Sequence, residues 1–154
     1  NYTDNPNDYI LVQGNADIKD KQVVPRLWTT EVTKTAEIGD IILTVRAPVG
    51  DIGKTDYNVV IGRGVAAIKG NDFIFYTLEK MKMTGFWNRF STGSTFESIS
   101  SNDIKEAIIQ IPTLEEQQAI GSYFSNLDKL INSHQEKISQ LETLKKKLLQ
   151  DMFI

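Results

Sequence analysis

The sequence contains no cysteine and only one histidine, His134. Zinc clusters, Cys–His pairs and most Ser–His–Asp arrangements need residues that are therefore missing, since His134 falls in a helical segment far from any serine in a nucleophile turn. The paired carboxylates of the chain are typical of turns and helix N-termini. We expect no catalytic residue, no metal site and no cofactor.

The sequence also lacks any apolar run approaching the ~18 residues of a membrane helix, and no basic-then-apolar segment opens it. The absence of cysteine is typical of a reducing compartment. We expect a soluble, cytoplasmic protein with no membrane partner. The net charge of −3 argues mildly against unspecific binding to nucleic acid, so any basic face must arise from sorting of charges in space.

Proline is absent from residues 114 to 153, where only Gly121 interrupts good helix formers. Thr113 and Glu116 have the spacing of a capping box, which predicts one long helix from this point. Its apolar side chains recur at intervals of four and three, as in a coiled coil. The predicted dimer interface, called the seam below, comprises Ile120, Phe124, Leu127, Ile131, His134, Ile138, Leu141 and Leu148. His134 either fixes the register or marks drift of the stripe toward solvent.

Residues 1–112, called the head below, have the pattern of an irregular α+β domain. Residues 1–8 are expected to be frayed and residues 15–21 to form a loop. Short strands are predicted at 9–13, 23–32 (broken by Pro25), 41–46, 57–61, 65–68 and 108–111, with a helix at 73–83 and a helical turn near Ser101. Gly62 and Gly64 are expected to permit a tight connection between two of these strands.

Five segments in order carry a resemblance to a known family: GDIILTVRAPVGDIGKT, VVIGRGVAAIKG, FWNRFSTGSTFESIS, IQIPTLEEQQAIGSYFSNLDKLI and KKKLLQDMF. Together they resemble the DNA specificity subunit of type I restriction-modification systems, over almost the whole chain from Tyr9 onward. The most specific part is the opening of the long helix, IP-x-L-x-E-Q-x-x-I, which starts at Ile111.

The resemblance implies a mixed α/β target recognition domain at residues 1–112 and a long coiled-coil helix at residues 113–154, called the arm. The chain then corresponds to half a subunit, either a natural half-length protein or a fragment. The implied partners are double-stranded DNA, the modification (methyltransferase) subunits, the restriction subunit, and a second arm. That second arm, from a homodimer or the other half of a longer chain, would pair antiparallel. The resemblance implies no catalysis in this chain.

Basic and amide side chains of the head are the candidate DNA contacts. Arg and Lys bind phosphates, while amides read base edges in the major groove. The candidates are Arg26, Lys34, Arg46, Lys54, Arg63 and Arg89 for phosphates, Gln13 and Asn15 for bases, and Trp28 for a groove or sugar contact. Solvated surface charge and core packing of Trp28 are the alternatives. Trp87, Phe90 and the turn at residues 91–95 are expected to pack between head and arm.

The sequence is also compatible with two other function classes. A coiled-coil adaptor or assembly protein would use the head to bind another protein. A nucleotide-dependent enzyme would use Lys54 and Thr55, since residues 50–55 resemble the end of a phosphate-binding loop. Pro48 stands where that loop needs its first glycine, and a strand rather than a helix is predicted to follow.

Overall fold

The computed structural model describes residues 1–90 and 97–152, which form a mixed α/β head and one long helix. The strands are β1 Tyr9–Val12, β2 Ile18–Lys19, β3 Gln22–Val23, β4 Leu27–Thr29, β5 Lys34–Ala36, β6 Ile41–Thr44, β7 Ile52–Lys54, β8 Val59–Ile61 and β9 Val65–Ile68. The helices are α1 Asp72–Met83, α2 Ser101–Lys105 and α3 Leu114–Asp151, with short 3₁₀ turns at Asn15–Asp17 and Phe86–Phe90.

The first sheet has the strand order β4-β1-β8-β5. Its central strands β1 and β8 run parallel, with Leu11 opposite Val60 and Val12 opposite Ile61. Both strands therefore end at the same edge of the sheet. Because the chain leaves β1 at Gln13 and β8 at Gly62, the residues that follow these strands lie side by side.

The second sheet has the order β2-β3-β7-β6-β9, and its strand β6 contributes to both parts of the core. All four residues of β6 are buried, which fits its position between the antiparallel strands β7 and β9. Ile41 and Leu43 face one apolar cluster that includes Phe75 of α1, whereas Ile42 faces a second cluster with Val12. The alternation along β6 thus joins the two sheets and α1.

Helix α3 begins at a capping box: Thr113 Oγ1 accepts from the amide of Glu116, and Glu116 Oε2 accepts from the amide of Thr113. At about 1.5 Å per residue, its 38 residues extend for about 57 Å. Only its N-terminal part contacts the head, and every residue from 129 to 152 is exposed. Across the described ranges, no helix is both long enough and apolar enough to cross a membrane.

Helices α1 and α3 pack closely where Gly121 meets the start of α1. A Cβ atom on Gly121 would lie 2.9 Å from Asp72 Cβ and 3.0 Å from the amide nitrogen of Phe73. One turn earlier, Asn71 Nδ2 donates to Gln117 Oε1 at 2.9 Å, while Asn71 Oδ1 caps α1. The glycine that weakens the helical pattern therefore allows the backbones of α1 and α3 to approach closely.

Several local predictions differ from the structure. Residues 108–111 form no strand, and Ile108 is 90% exposed. The 9–13 prediction agrees with β1, but residues 15–21 contain a 3₁₀ turn and β2 rather than only a loop. The three-residue connection at Gly62 and Gly64 is tight as predicted, although it joins strands of different sheets. Trp87 packs in the head, against Gly50, Phe86 and Phe90. The predicted turn at residues 91–95 lies outside the described residues.

Candidate nucleic-acid interface

A cleft of about 880 Å³ lies at the edge where β1 and β8 end. Gln13 and Gly14 follow β1, the Gly62–Gly64 segment follows β8, and Arg46 follows β6. Five of the nine predicted DNA contacts line this cleft together: Gln13, Asn15, Lys34, Arg46 and Arg63. They come from separate parts of the sequence, so the topology of the two sheets brings them to one place.

Basic side chains outnumber acidic ones in the cleft. Among the described residues, its lining contains Lys34, Arg46 and Arg63 but only one carboxylate residue, Glu31. Within residues 1–90 and 97–152, none of the three cations forms a salt bridge. A chain with an overall negative charge therefore concentrates accessible positive charge at one site, as phosphate binding requires.

A buried carboxylate holds the turn that carries Gln13 and Asn15. Asp17 is 1% exposed and accepts from the backbone amides of Gln13 at 2.7 Å and Gly14 at 3.2 Å. Arg26 Nε donates to the other carboxylate oxygen of Asp17 at 3.0 Å. Arg26 thus compensates the charge of Asp17, and the Asp17 carboxylate holds the turn that borders the cleft.

Four predicted contacts lie outside the cleft. Arg26 is bound to Asp17, and Trp28 is half-buried on the edge strand β4, opposite Ile10. Lys54 is ion-paired with Asp72, with its ammonium 5.3 Å from the centroid of the Phe75 ring. The Arg89 guanidinium lies over the Phe86 ring at 4.1 Å. Arg26, Lys54 and Arg89 thus have partners in the head, and a DNA contact at any of the four stays a prediction.

The seam of α3 is uncovered in the single chain. Its apolar members are between 36% (Leu127) and 64% (Leu141) exposed, and His134 is also exposed. The first four seam residues border an apolar groove between α1 and α3 of about 780 Å³. In that groove the ring centroids of Phe124 and Tyr76 are 5.4 Å apart. The later seam residues are all exposed, so the helix presents a long apolar stripe to solvent.

A sequence model of the family described as type I restriction modification DNA specificity domain matches residues 4–143. The chain belongs to this family. A putative type I restriction enzyme MjaX specificity subunit of Methanocaldococcus jannaschii is 34% identical over 145 residues, covering 90% of this chain and 34% of the relative. The MjaIX specificity subunit of the same organism is 30% identical over 121 residues, covering 75% of this chain and 28% of the relative.

Two solved structures share the fold of this specificity domain. One belongs to a study of complex assembly and conformational transition of the type I R-M system, with a TM-score of 0.77 and 28% identity. The matched region covers 96% of this chain and 37% of the chain in that structure. The HsdS subunit from Thermoanaerobacter tengcongensis has a TM-score of 0.70 and 27% identity, covering 88% of this chain and 34% of the other. The chain thus spans about a third of the length of these relatives.

The specificity domain contains cleft residues that the sequence did not single out. Tyr2, Glu31 and Thr33 also line the cleft. Residues 1–8 were expected to be frayed, but Thr3 pairs with Trp28 through backbone hydrogen bonds in both directions. This bridge places Tyr2 at the cleft, and no local signal in the sequence predicts a pairing across 25 positions.

A polar cluster, called the joint below, attaches the specificity domain's head to α3. Asp128 accepts from Tyr76 Oη at 2.7 Å and from Lys21 Nζ at 3.0 Å. Lys21 Nζ also lies 2.7 Å from Glu79 Oε1. Burial, followed by the hydrogen bond to Asp128, raises the pKa of Tyr76. Burial alone would lower the pKa of Lys21, but its hydrogen bonds to Glu79 and Asp128 outweigh that effect and raise it.

The raised pKa values predict how the joint responds to pH. Tyrosine and lysine in an unfolded chain titrate near pH 10, so the joint contributes its full stability below that pH. The contribution is lost as pH rises through the higher folded-state pKa values. The thermal midpoint of the wild type is expected to exceed that of Asp128→Asn by a constant margin near neutral pH and by less above about pH 10. Equal midpoints at all pH values would contradict a stabilising joint.

Proposed function

We propose that this chain reads one half of a bipartite double-stranded DNA site and directs the methyltransferase and restriction subunits of a type I system to it, without a reaction centre of its own. The observation that carries the proposal is the cleft, where five predicted DNA contacts from separate segments meet. The named relatives are type I restriction enzyme specificity subunits, which supports the same assignment.

The residues of the cleft contact different parts of the DNA, according to their chemistry. Lys34, Arg46 and Arg63 hold phosphates, because their cationic groups are exposed and carry no salt bridge within the described part of the chain. Gln13 and Asn15 lie in the same cleft and carry amides that can donate to and accept from base edges. Phosphate contacts give affinity and register, and the amides give specificity.

The seam pairs with a second arm, from another copy of the chain or from the second half of a longer subunit. Full antiparallel overlap of two α3 helices sets residue 138 against 127 and residue 141 against 124. It also sets residue 131 against 134, next to the two-fold axis. An isologous contact of this kind relates two identical heads by two-fold symmetry. The preferred DNA site is then an interrupted palindrome, with a gap set by the length of α3.

The double variant Arg46→Ala/Arg63→Ala tests the phosphate contacts. We expect specific duplex binding to weaken by about tenfold or more for each lost charge-assisted contact. The slope of log K against log salt should also fall by about 0.9 for each phosphate released. Both quantities follow from fluorescence anisotropy titrations at several salt concentrations. The fold is expected to persist, because both side chains are exposed.

Lys146→Ala, which removes one exposed cation from α3, is the matched control and is expected to leave affinity and slope unchanged. An unchanged slope in the double variant would place the DNA on another face of the head. Binding without preference for any short sequence, or none at all, would instead favour the adaptor alternative, in which the head binds another protein.

A further inference from the structure

Gln13 is a partly buried polar residue of the cleft that is held by several contacts. Gly62 and Gly64 form a slot around it: a Cβ atom on Gly62 would lie 3.2 Å from Gln13 Cγ, and one on Gly64 would lie 2.0 Å from the Gln13 carbonyl oxygen. In addition, the carboxylate of the buried Asp17 accepts a hydrogen bond from the backbone N–H of Gln13. The backbone and the first part of the side chain are therefore fixed by contacts within the head.

The end of the Gln13 side chain is oriented as well. Its Nε2 donates to Tyr2 Oη at 3.1 Å. A glutamine amide has two N–H protons and one acceptor oxygen, so this bond leaves one donor and the acceptor Oε1 for a ligand. Asn15, by contrast, is exposed and donates through Nδ2 to Asp51.

A donor next to an acceptor is the pattern that complements adenine in the major groove, where N7 accepts and the N6 amino group donates. We infer that Gln13, oriented by Tyr2, reads an adenine in the DNA half-site. The inference rests on the proposed DNA-reading function and adds to it the identity of one base and the residue that selects it. Tyr2 acts as a positioning residue, because it holds the amide rather than the base.

Selection from a duplex library with randomised positions tests the inference on the full chain. The wild type should select an A·T pair at one position of the half-site. Gln13→Ala should reduce the preference there by roughly 5- to 150-fold, with the other selected positions unchanged. Tyr2→Phe retains the ring but removes the hydroxyl, and it should weaken the preference at that same position only.

Gln13→Glu distinguishes base reading from a structural role. A carboxylate offers only acceptors, which suits the N4 amino group of cytosine. The preference at the Gln13-dependent position should therefore shift from adenine toward cytosine. Gln118→Ala removes an exposed glutamine from the outer side of α3, away from the cleft, and should give the wild-type profile.

The outcomes separate this inference from the function on which it rests. If the wild type selects a sequence but the Gln13 variants leave every position unchanged, or weaken all positions equally, Gln13 does not read a base. If the position that responds prefers a base other than adenine, the assignment of adenine is wrong. If the wild type selects no sequence at all, the proposed DNA-reading function itself fails.

Discussion

Replacement of Gly64 by alanine is expected to lower the thermal midpoint of the chain by about 6 to 12 °C. The new Cβ atom would lie 2.0 Å from the carbonyl oxygen of Gln13, a backbone atom that cannot rotate away. The link between β8 and β9 must then separate from the end of β1. Such overpacking against a backbone is expected to cost about 3 kcal/mol. Thermal unfolding followed by circular dichroism measures the change.

Gly14→Ala is the matched control for this prediction, because Gly14 lies in the same cleft. Its backbone is extended, and nothing lies within 4 Å of the Cβ position. An added methyl there is expected to change stability by less than about 1 kcal/mol. The close approach at Gly64 would be refuted if both variants unfolded at the wild-type temperature. Loss of stability in both variants would show that the whole turn is intolerant of substitution.

The double variant Ile138→Glu/Leu141→Glu is expected to weaken pairing of the arm by more than about 100-fold. Each exposed apolar side chain of the seam contributes roughly 1.5 to 3 kcal/mol when fully buried, and each new carboxylate opposes burial in the partner interface. The thermal stability of the head should not change, because both residues are exposed in the C-terminal half of α3. Sedimentation equilibrium over a range of concentrations measures the association constant.

Ser139→Glu/Gln140→Glu is the control for the seam variant, since it adds the same charge to the same turn of α3, outside the seam. It is expected to associate as the wild type does. A wild-type chain that stays monomeric at high concentration would argue against the homodimer and leave the second half of a longer subunit as the partner. Loss of association in both double variants would point to charge rather than to the seam.

Local chemistry explains the elements that the sequence predicted correctly. The α3 N-terminus was predictable because Thr113 and Glu116 form a capping box within four residues, and β6 because Ile41, Ile42 and Leu43 form a continuous apolar run. Both signals act between neighbours along the chain. Predicted cleft residues such as Arg46 were candidates by residue type alone, and their convergence depends on the order of strands in two sheets.

Contacts between distant segments account for what the sequence did not predict. Gly62 and Gly64 form the predicted tight connection, but the sequence did not predict that they also make room for Gln13, some 50 positions earlier. Asp128 was not singled out in the sequence, but it binds Tyr76 and Lys21 of the head. The expected strand at residues 108–111 is absent because an apolar run forms a strand only where a neighbouring strand offers hydrogen bonds.

Exposed side chains line the cleft, whereas buried strands form the fold, and this difference affects how such a domain can change during evolution. The amide of Asn15 is solvent-exposed, whereas the residues of β6 are sealed from water. Exchange of exposed side chains typically alters folding free energy by no more than about 0.5 kcal/mol. Under the proposed function, a lineage carrying this scaffold could therefore change its target by exchanging exposed base-reading side chains, while its folding stability is preserved.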